Sequence, residues 1–279
     1  MTGVVAHRDG VALSGERRGD GIPVVLLHGL TATRRYVVMG SRSLERSGHR
    51  VLAYDARGHG RSSPAPRPRD YGYDDLVGDL EAVMVEADAE RAVLAGASMG
   101  AHTALRFALE RPQRVVALAV ITPAHDPASA EDPAALARWD ALAEGLRSAG
   151  VEGFMEAYGE PAVDERWRPT VLRVLRQRLS EHEHPEAVAD AMQAVPRSRP
   201  FDSFEQLASI EAPAVVVASR DESDPGHPLA VGERCAAAMP LARLAVEGEG
   251  ESPLAWQGGR VSTLIADVAG AAAREGLVR

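Results

Sequence analysis

Five short, nearly unbroken apolar runs punctuate the chain: Pro23–Gly29 (PVVLLHG), Arg50–Asp55 (RVLAYD), Arg91–Ser98 (RAVLAGAS), Val115–Thr122 (VVALAVIT) and Ala212–Ser219 (APAVVVAS). A strand with one wet face alternates apolar and polar positions. Runs without that alternation fit strands covered on both faces, and so predict an α/β open sheet, mostly parallel and twisted, with helices on both faces. The opening GVVAHRDGVALSGERRG alternates loosely around Asp9-Gly10, a hairpin signal that predicts an antiparallel edge. Towards the C-terminus, PLAVGERCAAAMP predicts a helix, ARLAVEG a last strand and GRVSTLIADVAGAAAREG a closing helix.

Between Thr122 and about Leu207 the strand pattern stops, and Ala, Glu, Arg, Trp and Pro recur with helical spacing. In DPAALARWDALAEGLRSAG, Asp132 is placed to cap a helix, Pro133 to fill its first turn and Gly150 to stop it. The division expected is a core domain of residues 1–122 and 208–279, interrupted by an all-helical lid over residues 123–207.

Composition narrows the partners. Of 279 residues 45% are hydrophobic, enough for one sizeable core. Lys and Arg number 31 against 40 Asp and Glu, a net charge of −9 with no basic stripe, which argues against nucleic acid. The single Cys235 excludes an intramolecular disulfide and a multi-cysteine metal site, and nothing in the sequence calls for a metal or cofactor. MTGVVAHRDG lacks the charged and apolar regions of a signal peptide, and no apolar run approaches the roughly 20 residues that span a bilayer. The expectation is a soluble cytoplasmic protein with a small-molecule substrate or ligand and no membrane partner.

The chemistry concentrates in three motifs. Gly96-Ala97-Ser98-Met99-Gly100 follows a predicted strand and opens a predicted helix. A strand-to-helix turn this sharp needs glycines around the serine and pushes its hydroxyl out at the sheet edge, so Ser98 is the candidate nucleophile. LLHGLTAT places the backbone N–H of Leu30 where, with that of Met99, it forms a donor pair for an oxyanion. With AYDARGHGRSS (Ala53–Ser63), these motifs resemble those of lidded, esterase- or lactonase-like members of the α/β-hydrolase superfamily over nearly the whole chain except the lid. The resemblance implies a Ser–His–acid relay, with Ser98 at the floor of the main pocket.

The relay has one departure. For the acid, ASRDESDPGHP offers Asp224 and Asp221, Asp224 being followed by Pro four residues later as the resemblance implies. The family's Gly-His after the last strand falls on Gly250-Glu251, and no histidine occurs after His227. Glu251 is therefore the expected occupant of the base position, with His125, His102 and His227 as alternative bases or pocket residues. Arg34 and Arg35 follow the oxyanion loop, where one could meet a substrate carboxylate. Two functions follow: a hydrolase of a small ester, thioester or lactone that uses a non-standard base, or a hydrolase-like binding protein that keeps the pocket without efficient turnover.

Overall fold

The computed structural model describes residues 2–274 and has an eight-stranded sheet. The strands are β1 (Thr2–Arg8), β2 (Val11–Arg18), β3 (Ile22–Leu27), β4 (His49–Tyr54), β5 (Ala92–Ala97), β6 (Val115–Ile121), β7 (Ala214–Ala218) and β8 (Ala242–Val246). They lie in the order β1-β2-β4-β3-β5-β6-β7-β8, antiparallel between β1, β2 and β4 and parallel from β4 onward. The five apolar runs are the five inner parallel strands. At the edge, Arg8 pairs with Val11 across Asp9 and Gly10, both at positive φ (49° and 80°), the backbone that a two-residue hairpin requires.

The helices are α1 (Ser43–Arg46), α2 (Tyr73–Glu86), α3 (Met99–Glu110), α4 (Pro133–Tyr158), α5 (Arg168–Leu179), α6 (Pro185–Ala194), α7 (Leu229–Ala238) and α8 (Gly258–Arg274). Val77 and Leu80 of α2, Leu105 of α3 and Val231 of α7 pack on one face of the sheet with Val25, Leu94 and Val216. Leu44 of α1 with Val261 and Ile265 of α8 cover the other, against Val24, Val93 and Val217. Because strand side chains alternate in direction, neighbouring residues of one apolar run serve opposite cores, and this is why the runs contain so few polar positions.

The chain between β6 and β7 carries α4, α5 and α6 and no strand. Asp132 caps α4, its carboxylate accepting from the N–H groups of Ala134 and Ala135. Gly150 (φ 63°) breaks the helix as its backbone freedom suggests, but helix resumes beyond it to Tyr158. The two halves fold together so closely that a Cβ on Gly145 would lie 2.4 Å from the Gly153 carbonyl oxygen. The expected boundary at 207 falls within a 3₁₀ turn, Phe204–Ser209, whose Phe204 and Leu207 belong to the core beneath α7.

One buried ion pair joins the loop after β4 to α2. Arg57 reaches Asp79 twice, Nε to Oδ2 and Nη2 to Oδ1, each at 2.7 Å, and both side chains are buried. The Arg of Asp-x-Arg-Gly-His-Gly thus braces the loop that carries His59.

Candidate active site

β5 ends at Ala97, and α3 begins at Met99, so the whole change of direction falls on Ser98, held at φ 51° and ψ −113°. This is a strained backbone for a residue with a side chain, and the flanking glycines make it sterically feasible. A Cβ on Gly96 would lie 2.2 Å from the Gly100 oxygen, and one on Gly100 would lie 2.1 Å from the Leu27 oxygen. Ser98 is half-buried rather than sealed, its N–H bonded to the Ile121 carbonyl at 2.9 Å.

The loop after β3 runs against this elbow, since a Cβ on Gly29 would sit 3.5 Å from Ser98 Cβ. His28 and His59 hold the loop in place. His28 donates from Nδ1 to the Gly29 carbonyl (2.8 Å) and accepts the Ala56 N–H at Nε2 (2.9 Å). His59 places Nε2 2.7 Å from the Leu30 oxygen and Nδ1 2.8 Å from the Arg57 oxygen. Burial lowers the pKa of both, that of His28 to about 3, so neither is suited to proton transfer near neutral pH.

A histidine does reach the serine, and it comes from the acid loop. His227 Nε2 lies 3.0 Å from Ser98 Oγ, while both Asp224 carboxylate oxygens lie 2.9 Å from His227 Nδ1. A tight turn makes this possible: the His227 N–H donates to the Asp224 carbonyl at 3.1 Å across Pro225-Gly226, bringing residues three apart face to face. Nδ1–H is then the donor to Asp224, and Nε2 is left free to accept from the serine hydroxyl. Burial pulls the His227 pKa down, but the charge and hydrogen bond of Asp224 outweigh it and hold the value above the ordinary 6.5, with Arg178 acting in the opposite sense.

The other candidates lie elsewhere. Glu251, expected in the base position, is exposed and turns back on its own loop, accepting from the Gly248 N–H at 3.1 Å and from Arg260 Nη1 at 3.4 Å. These contacts lower its carboxyl pKa, the reverse of what a base working near neutrality needs. Asp221 accepts the Leu229 N–H at 2.8 Å and anchors the start of α7. His102 lies one turn past Ser98 but is buried, its Nε2 accepting the N–H groups of Ala124 (3.0 Å) and His125 (3.1 Å) and its Nδ1 lying 2.9 Å from Tyr73 Oη. Burial brings its pKa to about 3, so it braces the end of β6. His125 donates from Nε2 to the Phe201 carbonyl at 3.0 Å, and burial lowers its pKa too.

Leu30 and Met99 are buried in one apolar cluster with Leu142, Phe154, Leu175 and Leu179 of the helical segment, which therefore roofs the elbow. Trp139 and Tyr158 pack against the same cluster, whereas Trp167 pairs with Trp256, ring centroids 6.0 Å apart. The segment is strapped down beside the oxyanion loop: Thr33 and Tyr36 hydroxyls donate to Glu181 (2.9 and 3.0 Å), and the Gly60 N–H donates to His182 Nδ1 (2.9 Å). A cleft of about 670 Å³ lies beside this strap, lined by Thr33, Arg34, Asp55 and Glu181 among others, and Ser98 is not part of its lining. Arg34 is committed there, 2.5 Å from Asp55 Oδ2. A cation that sequence reasoning missed is Arg178 of α5, whose charge acts on both Asp224 and His227.

Residues 22–252 match the family model described as alpha/beta hydrolase fold. A 2-hydroxy-6-oxononadienedioate/2-hydroxy-6-oxononatrienedioate hydrolase from Pseudomonas putida is 29% identical over 240 residues, covering 80% of this chain and 78% of the relative. Among solved structures, a thermophilic esterase from Thermogutta terrifontis, with malate bound, superposes with a TM-score of 0.79 at 25% identity, over the full length of both chains. Est816, described as an N-acyl homoserine lactone degrading enzyme, gives 0.74 at 25% identity over 95% of this chain and 99% of its own.

Proposed function

This chain belongs to the alpha/beta hydrolase fold family, and on that premise we propose that it is a serine hydrolase of small esters, thioesters or lactones that works through Ser98, His227 and Asp224. The observation that carries the reading is the 3.0 Å approach of His227 Nε2 to Ser98 Oγ, with Asp224 on the far ring nitrogen. In the reaction, Ser98 Oγ attacks the carbonyl carbon as its proton passes to His227 Nε2, and the N–H groups of Leu30 and Met99 receive the oxyanion. Collapse of the tetrahedral adduct breaks the bond to the leaving group, which takes the proton back from His227 and departs as an alcohol or thiol. Water, deprotonated by the same nitrogen, then releases the acid and restores Ser98. Asp224 keeps the imidazole in the tautomer that leaves Nε2 free and stabilises the imidazolium.

The binding-only alternative rested on a missing base, and the imidazole beside the serine supports the hydrolase reading over it. On substrate, the Pseudomonas putida relative is named for a dioate and the Thermogutta terrifontis esterase structure is described as malate-bound. Both compounds carry two carboxylates, so anionic esters are the class to assay first. The direct test is labelling with a serine-directed aryl phosphonate, read by intact mass and peptide mapping, beside turnover of an aryl ester. One adduct on Ser98, absent in Ser98→Ala together with the turnover, is expected. A parent protein that neither labels nor turns over would overturn the reading.

A further inference from the structure

Arg178 occupies the inner side of α5. Leu175, Arg178 and Leu179 fall at spacings of three and four, which places them on one helix face, and Leu175 and Leu179 pack in the cluster that holds Leu30 and Met99. The face that carries Arg178 is therefore the one turned to the elbow. Its surroundings agree, since its charge acts on Asp224, His227, Tyr36 and Tyr158. On the same helix, Arg168 and Arg176 point outward and pair with Glu160 and Glu152. Among the described residues the Arg178 side chain shows neither an ion pair nor a hydrogen bond, and its Nε is buried without a partner.

A buried, unpartnered guanidinium Nε carries a cost, here as at Arg18, Arg50 and Arg91, and Arg178 differs in that its charge acts on Asp224 and His227. Asp224 is a carboxylate whose charge acts on Arg178, and both its oxygens are already turned to His227. The free cation also opposes the protonation that His227 must undergo in the reaction. An anion seated on the guanidinium answers both problems: it supplies the missing acceptors and cancels the charge that disfavours the imidazolium. A planar carboxylate matches the two-pronged donor geometry of Arg.

We propose that Arg178 is the carboxylate-binding residue of this site, and that the preferred substrates are esters or lactones bearing a carboxylate on the part of the molecule that lies beneath α5. This rests on the hydrolase reading above and names its substrate class. The Arg178 charge also acts on Tyr36 and Tyr158, and Leu175 and Leu179, on the same helix face, give an apolar wall for the carbon chain between carboxylate and scissile carbonyl.

The experiment compares two aryl esters matched in chain length, a monoaryl glutarate and an aryl pentanoate, in the parent, Arg178→Met and Arg178→Lys, after subtraction of uncatalysed hydrolysis. The ratio of kcat/KM, glutarate over pentanoate, is expected to be tenfold or more in the parent, to collapse to near one in Arg178→Met and to be partly retained in Arg178→Lys. A parent ratio near one, or a ratio that Arg178→Met leaves unchanged, overturns the proposal while leaving Ser98-dependent hydrolysis standing. Binding of free glutarate to Ser98→Ala, by calorimetry, reads the subsite without turnover. Saturable binding that Arg178→Met weakens at least tenfold supports the proposal even if neither ester is cleaved, and glutarate binding indifferent to Arg178 sinks it. Thermal melts of each variant separate loss of the subsite from loss of the fold.

Discussion

His227 lies three residues after Asp224 in a single turn, and the aspartate holds the imidazole by Nδ1 while Nε2 faces Ser98 3.0 Å away. In the proposed relay acid and base thus share one loop after β7, and the loop after β8 has no catalytic part. Its Glu247 is buried, accepting the Arg220 N–H at 2.7 Å and the Leu254 N–H at 3.3 Å, so that it ties the two loops together.

The pH profile should report this pair. His227 must be neutral to accept the serine proton, and Asp224 holds its pKa above 6.5, so kcat/KM is expected to rise with pH through an inflection above that value. In Asp224→Asn the raising influence is gone and burial remains, so any residual activity should show the inflection displaced downward. The same sign governs stability: the Asp224–His227 contact contributes below the unfolded pKa of about 6.5 and its contribution fades as pH rises through the raised folded value. Rate–pH profiles of the two proteins decide it, and an unmoved inflection would assign the titration to another group.

The two loop aspartates should separate cleanly. Asp221→Ala removes the carboxylate that receives the Leu229 N–H, a loss of about 1 kcal/mol typical of a helix cap, with esterase activity kept within a few-fold. Asp224→Ala should do the reverse, with a small change in melting temperature and a fall in kcat of at least about tenfold. Parallel melts and kinetics on both variants check the assignment.

How much of this was legible in the sequence depends on what each residue's partner is. The inner strands could be read because burial on both faces leaves its mark in consecutive residues, and Ser98 because the elbow needs glycine at both flanks, where a Cβ would meet backbone within 2.2 Å. His227 was named only as an alternative. The family pattern directs attention to the loop after the last strand, yet Asp-Pro-Gly-His is itself a turn signature that brings its first and fourth residues together. Gly150 was read as a stop because φ freedom is local information, while the return of the helix beyond it depends on packing between Gly145 and Gly153. Arg178 could not be distinguished by sequence from Arg168, Arg173 and Arg176, since all of α5 reads RPTVLRVLRQRL and only tertiary packing shows which guanidinium has its Nε buried.

Steric demand at the elbow can be measured. Gly100→Ala should cost about 3 kcal/mol or more, because the added methyl meets the Leu27 carbonyl oxygen at 2.1 Å and neither backbone segment can yield. Gly259→Ala, in the first turn of α8 with nothing within 4 Å of the new Cβ, should be neutral or stabilise by up to about 1 kcal/mol. Denaturant melts of the pair give the comparison.

The Arg57–Asp79 pair offers a test of the loop brace. Asp79→Leu leaves a buried guanidinium without its bidentate partner and should destabilise by about 3–5 kcal/mol. Adding Arg57→Met should recover part of that loss, because the orphaned charge disappears with it. A double variant no more stable than Asp79→Leu would mean that the pair contributes chiefly by shape.

The most direct measurement is kcat/KM for one aryl ester in His227→Gln and Glu251→Gln, side by side with the parent. If the imidazole in the acid loop is the base, His227→Gln falls by about 10²–10⁴-fold, while Glu251→Gln, whose carboxylate bonds among the described residues to Gly248 and Arg260, stays within about twofold. A parent-like His227→Gln beside a disabled Glu251→Gln would contradict the account and return the base to the loop after β8.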